Sequence, residues 1–288
     1  MMSMKLVPLI MLLVLAFGCA QAPPQPQAPA QPAKNATQQN QIPPTVVNTD
    51  ENATPPAPEP APPVKPEAPA IPSKEISYYS GGWVIYGTLY PSQSKTPTRT
   101  IILAPMLGAD RTSYPSGFIK KLHDQMPNAI VLAIDMRGNG KSTNLGSYRD
   151  FDTATYKDMR ADIIGADKYL GANYPTVKAY YVVGASMGST AALLAGAQFH
   201  KIEKVAMLSP GMDYQGVEIA KSLPDYSQPL FVAATSGDAE SVTAASQIAS
   251  MGQPGQVTKE IYKGSSAHGT EMFDGTALEA DLLSFLEN

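Results

Sequence analysis

Tyr180-Tyr181-Val182-Val183-Gly184-Ala185-Ser186-Met187-Gly188-Ser189-Thr190-Ala191-Ala192-Leu193-Leu194-Ala195 decides how this chain is read. The first four residues form an aromatic and β-branched run that fits a buried strand, and the small and aliphatic residues from Ser189 onward fit a packed helix. Between them, G-x-S-x-G puts Ser186 at a tight bend. A serine there sits in a strained backbone conformation, and a side chain at either glycine position would collide with the adjoining strand or helix. The hydroxyl is thereby held out at the carboxyl edge of a sheet. Alone, the pentapeptide is a weak signal, so the flanking chain must carry the reading.

On both sides of the bend, strands and helices alternate. Residues 76–79 and 83–90, separated by Gly81-Gly82, read as an antiparallel hairpin. Strands follow at 100–103, 129–134, 180–183, 204–208, 230–234 and 256–262. Helices read at 114–126, 156–170, after Ser186, at 239–251 and at 276–286. In 156–170 the apolar positions Met159, Ile163, Ala166 and Leu170 fall close to helical spacing. The pattern predicts an α/β fold, a mostly parallel sheet with helices on both faces and a hairpin at its start. Ligands to such sheets bind at the carboxyl ends of the strands.

Two further residue types stand at those ends. Asp238 closes the turn Thr235-Ser236-Gly237-Asp238 after the 230–234 strand, and His268 lies in Gly264-Ser265-Ser266-Ala267-His268-Gly269-Thr270 after the last strand, where it opens the last helix. Either could instead serve as a helix cap. Asp213, in Ser209-Pro210-Gly211-Met212-Asp213, is the rival carboxylate. His123 and His200 fall in or near helices that face solvent or flank the sheet, which leaves His268 as the histidine at a strand end.

With Ser186, Asp238 and His268 in this order, residues 76–288 resemble the α/β-hydrolase family, in its small lidless carboxylesterase or dienelactone hydrolase-like branch. The resemblance implies that Ser186 is a nucleophile, His268 its general base and Asp238 the acid that orients the histidine. A serine hydroxyl needs such a base at neutral pH, and the base needs a carboxylate to fix its tautomer and stabilise its cation. The family's oxyanion donors would be the backbone N–H of Met187 and one from the loop Ala104-Pro105-Met106-Leu107-Gly108-Ala109-Asp110. Relatives commonly carry His-Gly there. Proline has no N–H, so Leu107 is the expected second donor and Met106 the fallback. Asp135-Met136-Arg137-Gly138-Asn139-Gly140-Lys141-Ser142 resembles the family's D-x-R-G-x-G-x-S turn and reads as structural; its spacing does not match a P-loop.

Only residues 211–229 separate two strands where many hydrolases insert a helical cap, so no substantial cap is expected. That implies a shallow site for small or mid-sized acyl esters, lined by Met106, Leu107, Met187, Met212 and Tyr214. Serine peptidase or acyltransferase chemistry on the same triad is an alternative, since all three share an acyl-enzyme. A non-catalytic envelope binding module is another. No metal cluster or nucleotide fingerprint is visible, so no cofactor is expected. With a formal charge of −4 and no basic stripe, nucleic acid is not an expected partner. The sequence does not fix an oligomeric state.

Residues 1–19 hold one lysine, Lys5, then an apolar run too short for a permanent membrane span, then Gly18-Cys19. Gly18-Cys19 resembles the end of a lipobox, which implies cleavage before Cys19 and a lipid on it. An ordinary signal peptide or an uncleaved anchor would equally place the rest outside the cytoplasm. Residues 20–72 are rich in Pro, Ala, Gln and Asn, with hardly a large apolar side chain, and cannot bury enough surface to offset their ordering. They read as a disordered, semi-stiff tether reaching on the order of 150 Å at about 3.1 Å per residue. Residues 73–288 form the hydrolase domain of this reading. The body lacks cysteine, which suits an exported protein that makes no disulfide.

Overall fold

A computed structural model describes residues 71–288. The expected leader with Cys19, and the Pro-rich segment apart from Ile71 and Pro72, lie outside the described residues. Among the described residues no helix is long and apolar enough to cross a membrane.

The sheet has eight strands. The hairpin strands β1 (Lys74–Ser80) and β2 (Trp83–Tyr90) are followed by β3 (Arg99–Ala104), β4 (Ala129–Ile134), β5 (Ala179–Ala185) and β6 (Ile202–Leu208). Two-residue strands β7 (Asp213–Tyr214) and β8 (Val217–Glu218) pair only with each other, and β9 (Leu230–Thr235) and β10 (Val257–Tyr262) complete the main sheet. Its order is β1-β2-β4-β3-β5-β6-β9-β10. The β1–β2 and β2–β4 pairings are antiparallel and the remainder parallel, which is the expected hairpin leading into a parallel sheet.

Strands β4, β5 and β9 are buried at every position. That is why they read as continuous apolar runs: helices cover both faces. One apolar layer joins α3 (Arg160–Asn173) and α4 (Met187–Gln198) to one face, and a second joins α1 (Ser116–Gln125) and α6 (Leu278–Glu287) to the other. Helix α5 (Ala239–Met251) follows β9 and packs on the α3–α4 side through Ala245 and Ile248. Within α4, residues 187–196 are all buried, so this central helix is apolar around its whole girth.

Two local readings are corrected, and the expectation of no cap holds. The single helix expected at 156–170 is two, α2 (Thr153–Lys157) and α3, because the chain turns at Asp158 and Met159; Asp152 caps the start of α2 through its side chain. The 211–229 connection contains the β7–β8 hairpin and a 3-10 turn at Leu223–Asp225, with no cap. His268 opens a separate 3-10 turn, Gly269–Phe273, rather than the last helix, which begins only at Leu278.

Candidate active site

Ser186 has φ 52 and ψ −120, a backbone region that costs a non-glycine residue about 1–3 kcal/mol. Its neighbours hold it there. The Ser186 N–H donates to Leu208 O at 2.8 Å, and the Ser186 carbonyl accepts from Ser189 N at 2.9 Å and Ser189 Oγ at 2.6 Å. A Cβ on Gly184 would come within 2.2 Å of Gly188 O, and one on Gly188 within 2.5 Å of both Ala104 O and Pro105 O. The two glycines are therefore needed for close approach, strand to helix at one and helix to the β3 loop at the other.

That second approach brings the start of α4 against the loop after β3. The N–H groups of Met187 and Leu107 have no protein acceptor among the described residues. Helix α4 adds the positive end of its dipole at Met187. The loop itself is pinned by the 135–142 turn: Asn139 Oδ1 accepts from Gly108 N at 2.8 Å, and Asp135 Oδ1 accepts from Arg111 N at 2.8 Å. Asp135 also accepts from Lys141 N at 2.9 Å, folding the turn on itself. Replacing Leu107 by proline removes one N–H from this cradle and is expected to lower kcat for an ester about 100-fold with little change in KM. Steady-state kinetics of the folded variant check it, and unchanged kcat would remove Leu107 from the role.

Asp238 and His268 meet beyond the carboxyl ends of β9 and β10. His268 Nδ1 lies 2.7 Å from Asp238 Oδ2. Two hydrogen bonds stitch their loops together and a third ties the histidine loop to the end of β6. Gly237 N donates to Ser265 O at 2.9 Å, Thr235 Oγ1 to Ala267 O at 2.8 Å, and Gly269 N to Ser209 Oγ at 2.9 Å. Burial by itself pushes the Asp238 carboxyl up, but bonds from Ser241 and His268 outweigh it and hold the group below the usual carboxylate range. Asp213, the rival, lies exposed in β7 and makes no such bond. The hydrogen bonds of Ser186 do not extend to His268, a contact of the kind that tightens when substrate binds. His123 bonds Gln93 and His200 is exposed, both away from the strand ends.

The lining residues divide. Met106 packs its sulfur against Gly269, beside His268, where a Cβ on that glycine would meet Sδ at 2.9 Å. Leu107, Met212 and Tyr214 are partly buried against the α3–α4 layer. The Met187 side chain is 1% exposed and belongs to the core, so it lines nothing and contributes only its N–H. Two features went unread in the sequence. Ser209 holds φ 47 at the end of β6 while its Oγ anchors the histidine loop, and Tyr214 turns its hydroxyl back to Ser209 O at 3.0 Å. Ser209-Pro210-Gly211 at a strand end was the available signal for both.

Burial raises the Tyr214 phenol, and Asp238 and Glu240 add to it against the opposing pull of the Ser241 and Ser186 hydroxyls. Behind Tyr214, a hollow of about 380 Å³ opens between Gly211–Tyr214 and the first turns of α5. A larger one, about 420 Å³, lies at the amino-terminal ends of the strands around Lys204 and Phe285, where no histidine or cysteine lines it. The catalytic candidates lie at the carboxyl ends.

This is the arrangement of an α/β-hydrolase. Residues 95–246, more than half of the chain, match the serine aminopeptidase S33 family, and the chain belongs to that α/β-hydrolase family. No curated protein gives a significant match. Among solved structures, an esterase of Pyrococcus furiosus superposes with a TM-score of 0.62 at 18% identity, covering 78% of this chain and 94% of that one. Dienelactone hydrolase from Anabaena variabilis gives 0.58 at 17%, covering 75% and 95%. Proline iminopeptidase from Mycobacterium smegmatis gives 0.58 at 13%, covering 74% and 97%. At these identities the likeness is one of fold, and the fold serves esterases and a peptidase alike.

Proposed function

We propose that this protein is a serine hydrolase that cleaves carboxylic esters through an acyl-enzyme on Ser186. The observation that carries the reading is the 2.7 Å Asp238–His268 pair, stitched to the strand edge from which the strained Ser186 projects. His268 Nε2 takes the Ser186 proton as Oγ attacks the ester carbonyl carbon, while Nδ1–H donates a hydrogen bond to the Asp238 carboxylate, which keeps the imidazole in that tautomer and stabilises its cation. The tetrahedral oxyanion accepts from Met187 N and Leu107 N. As the bond to the alcohol oxygen breaks, Nε2–H protonates it. Water then attacks the acyl-enzyme with His268 as base, and the carboxylic acid leaves.

The β6–β9 connection carries only a hairpin of two-residue strands and a 3-10 turn, which supports an open site for small or mid-sized acyl esters. The peptidase reading draws on the family's name and the iminopeptidase neighbour. The test uses residues 71–288 and the full chain side by side: p-nitrophenyl esters from acetate to decanoate, aminoacyl p-nitroanilides, and a fluorophosphonate whose adduct is mapped by mass spectrometry. An adduct on Ser186 with ester turnover supports the proposal. Anilide turnover without ester turnover supports the peptidase, and a folded protein that neither labels nor turns over is a binding module.

We further propose that the hydrolase is exported and held at the membrane by a lipid on Cys19. The short apolar run before Gly18-Cys19 supports this, as does the Pro-rich segment that would serve as tether. Cys19→Ala is expected to move the protein from the membrane to the soluble fraction; an unchanged distribution refutes lipid anchoring.

A further inference from the structure

The hollow behind Tyr214 touches the candidate site without being part of the triad or the oxyanion cradle. Its walls come from the β6–β7 turn, Met212 and Tyr214, and from α5, Thr243 and Gln247; Asp213 and Glu240 stand at its rim. The Tyr214 ring lies against Gly211, where a Cβ would meet the ring at 2.7 Å, and its hydroxyl donates to Ser209 O at 3.0 Å, next in the chain to Leu208, whose carbonyl accepts from Ser186 N at 2.8 Å. Tyr214 is thus the partition between the nucleophile and the hollow.

The charge around the hollow has one sign. Asp213 and Glu240 are both exposed, and neither makes a salt bridge among the described residues. Asp213 faces Glu218 directly across the β7–β8 pair, a juxtaposition of like charges that costs stability unless something offsets it. No lysine or arginine lines the hollow, and Lys221 stands 3.9 Å from Glu218. The amino-terminal end of α5 carries about half a positive charge, and Asp238 as its cap already faces it. Two full carboxylate charges at the rim remain in excess.

Resting on the hydrolase reading above, we propose that this hollow is the subsite for one half of the substrate, and that it selects neutral or cationic groups over anionic ones. The apolar walls take a short aliphatic or ring segment. Thr243 and Gln247 offer it a hydroxyl and an amide, and the Asp213 and Glu240 carboxylates meet a terminal ammonium while repelling a carboxylate. Tyr214 fixes where the reacting carbonyl ends and the recognised group begins.

The test is a pair of matched substrate series. In one the acyl chain of a p-nitrophenyl ester ends in ammonium, methyl or carboxylate at constant length; in the other the thiol half of a thioester carries the same three ends. The expected result is a preference for ammonium over carboxylate of about tenfold in kcat/KM in at least one series at low salt, shrinking toward unity at about 1 M NaCl. Glu240→Lys and Asp213→Lys should each cut that ratio several-fold or invert it. Glu203→Lys, the same charge change at the far end of β6, should leave the ratio alone. A second readout needs no turnover: tetramethylammonium titrated into Ser186→Ala should shift the backbone amides of Thr243 and Gln247, and Glu240→Lys should abolish the shifts. Neutral esters that are hydrolysed with ratios indifferent to both rim charges would overturn the subsite while leaving the hydrolase reading intact. Amide shifts without any turnover would do the reverse.

Discussion

A Ser186→Ala variant is expected to lose about five to six orders of magnitude in kcat on its best ester, with KM changed little and the fold unperturbed. Alanine keeps the Cβ that the elbow already tolerates and removes only Oγ, so no packing is lost. Relief of the strained φ at this position is smaller still, because alanine suffers the same strain as serine. Asp238→Asn is the companion. It preserves shape, yet its amide can present an N–H where the imidazole needs an acceptor, which selects the wrong tautomer; about four orders of magnitude in kcat are expected to go. Single-turnover rates with thermal unfolding as a control check both. Near-wild-type turnover in Ser186→Ala would end the proposed mechanism, and near-wild-type turnover in Asp238→Asn would reopen the role of Asp213.

Asp238 also sets a pH dependence whose sign is fixed. Its carboxyl is held lower in the folded protein than in the unfolded chain, because the donors from Ser241 and His268 outweigh burial. A depressed carboxylate contributes stability that is complete above the unfolded value and is lost as pH falls through the folded one. The wild-type advantage in stability over Asp238→Asn should therefore be constant near neutrality and decline only below about pH 4. Chemical denaturation across pH 3–7 reads it directly.

Most of the architecture was legible because fully buried parallel strands leave continuous apolar runs, as in Ala129–Ile134 and Leu230–Thr235, and such runs are hard to mistake. Helix boundaries were less so. The start of α2 rests on an Asp152 side chain that accepts from Thr155 N, and the break before α3 on tight turns such as Met159 N to Tyr156 O and Asp162 N to Met159 O, contacts with no periodic signature. The site divided in the same way. Ser186, Asp238 and His268 could be placed because each stands at a strand end in a short, glycine-bearing turn. Tyr214 was named as a lining residue, but its partition role depends on a turn that folds its ring over Gly211, and no local pattern announces that. Met187 shows the converse: an apolar residue beside the nucleophile reads as lining, yet the first turn of α4 directs its side chain into the core and leaves only the N–H at the site.

Asp162→Ala is expected to destabilise the domain by about 3–5 kcal/mol, the second large effect, and one exerted far from the reacting atoms. Arg137 Nη2 and Nε reach Asp162 at 2.7 and 3.0 Å, and the Arg137 N–H reaches it at 2.9 Å. The two side chains are 5% and 0% exposed. Burial pushes the Asp162 carboxyl up and the guanidinium draws it back, so the pair persists through its geometry rather than through a large net Coulomb gain. Removing the carboxylate leaves a buried guanidinium with only Ser80 Oγ, at 3.3 Å, to meet it. The damage should spread along the chain: Arg137 belongs to the same turn as Asn139, which holds Gly108 beside the Leu107 donor. A double replacement, Arg137→Met with Asp162→Leu, removes both charges and should cost less than either single change. If the double variant recovers stability while kcat stays reduced, the pair serves to place the oxyanion loop; if kcat recovers with stability, its role is confined to holding the hairpin and α3 together.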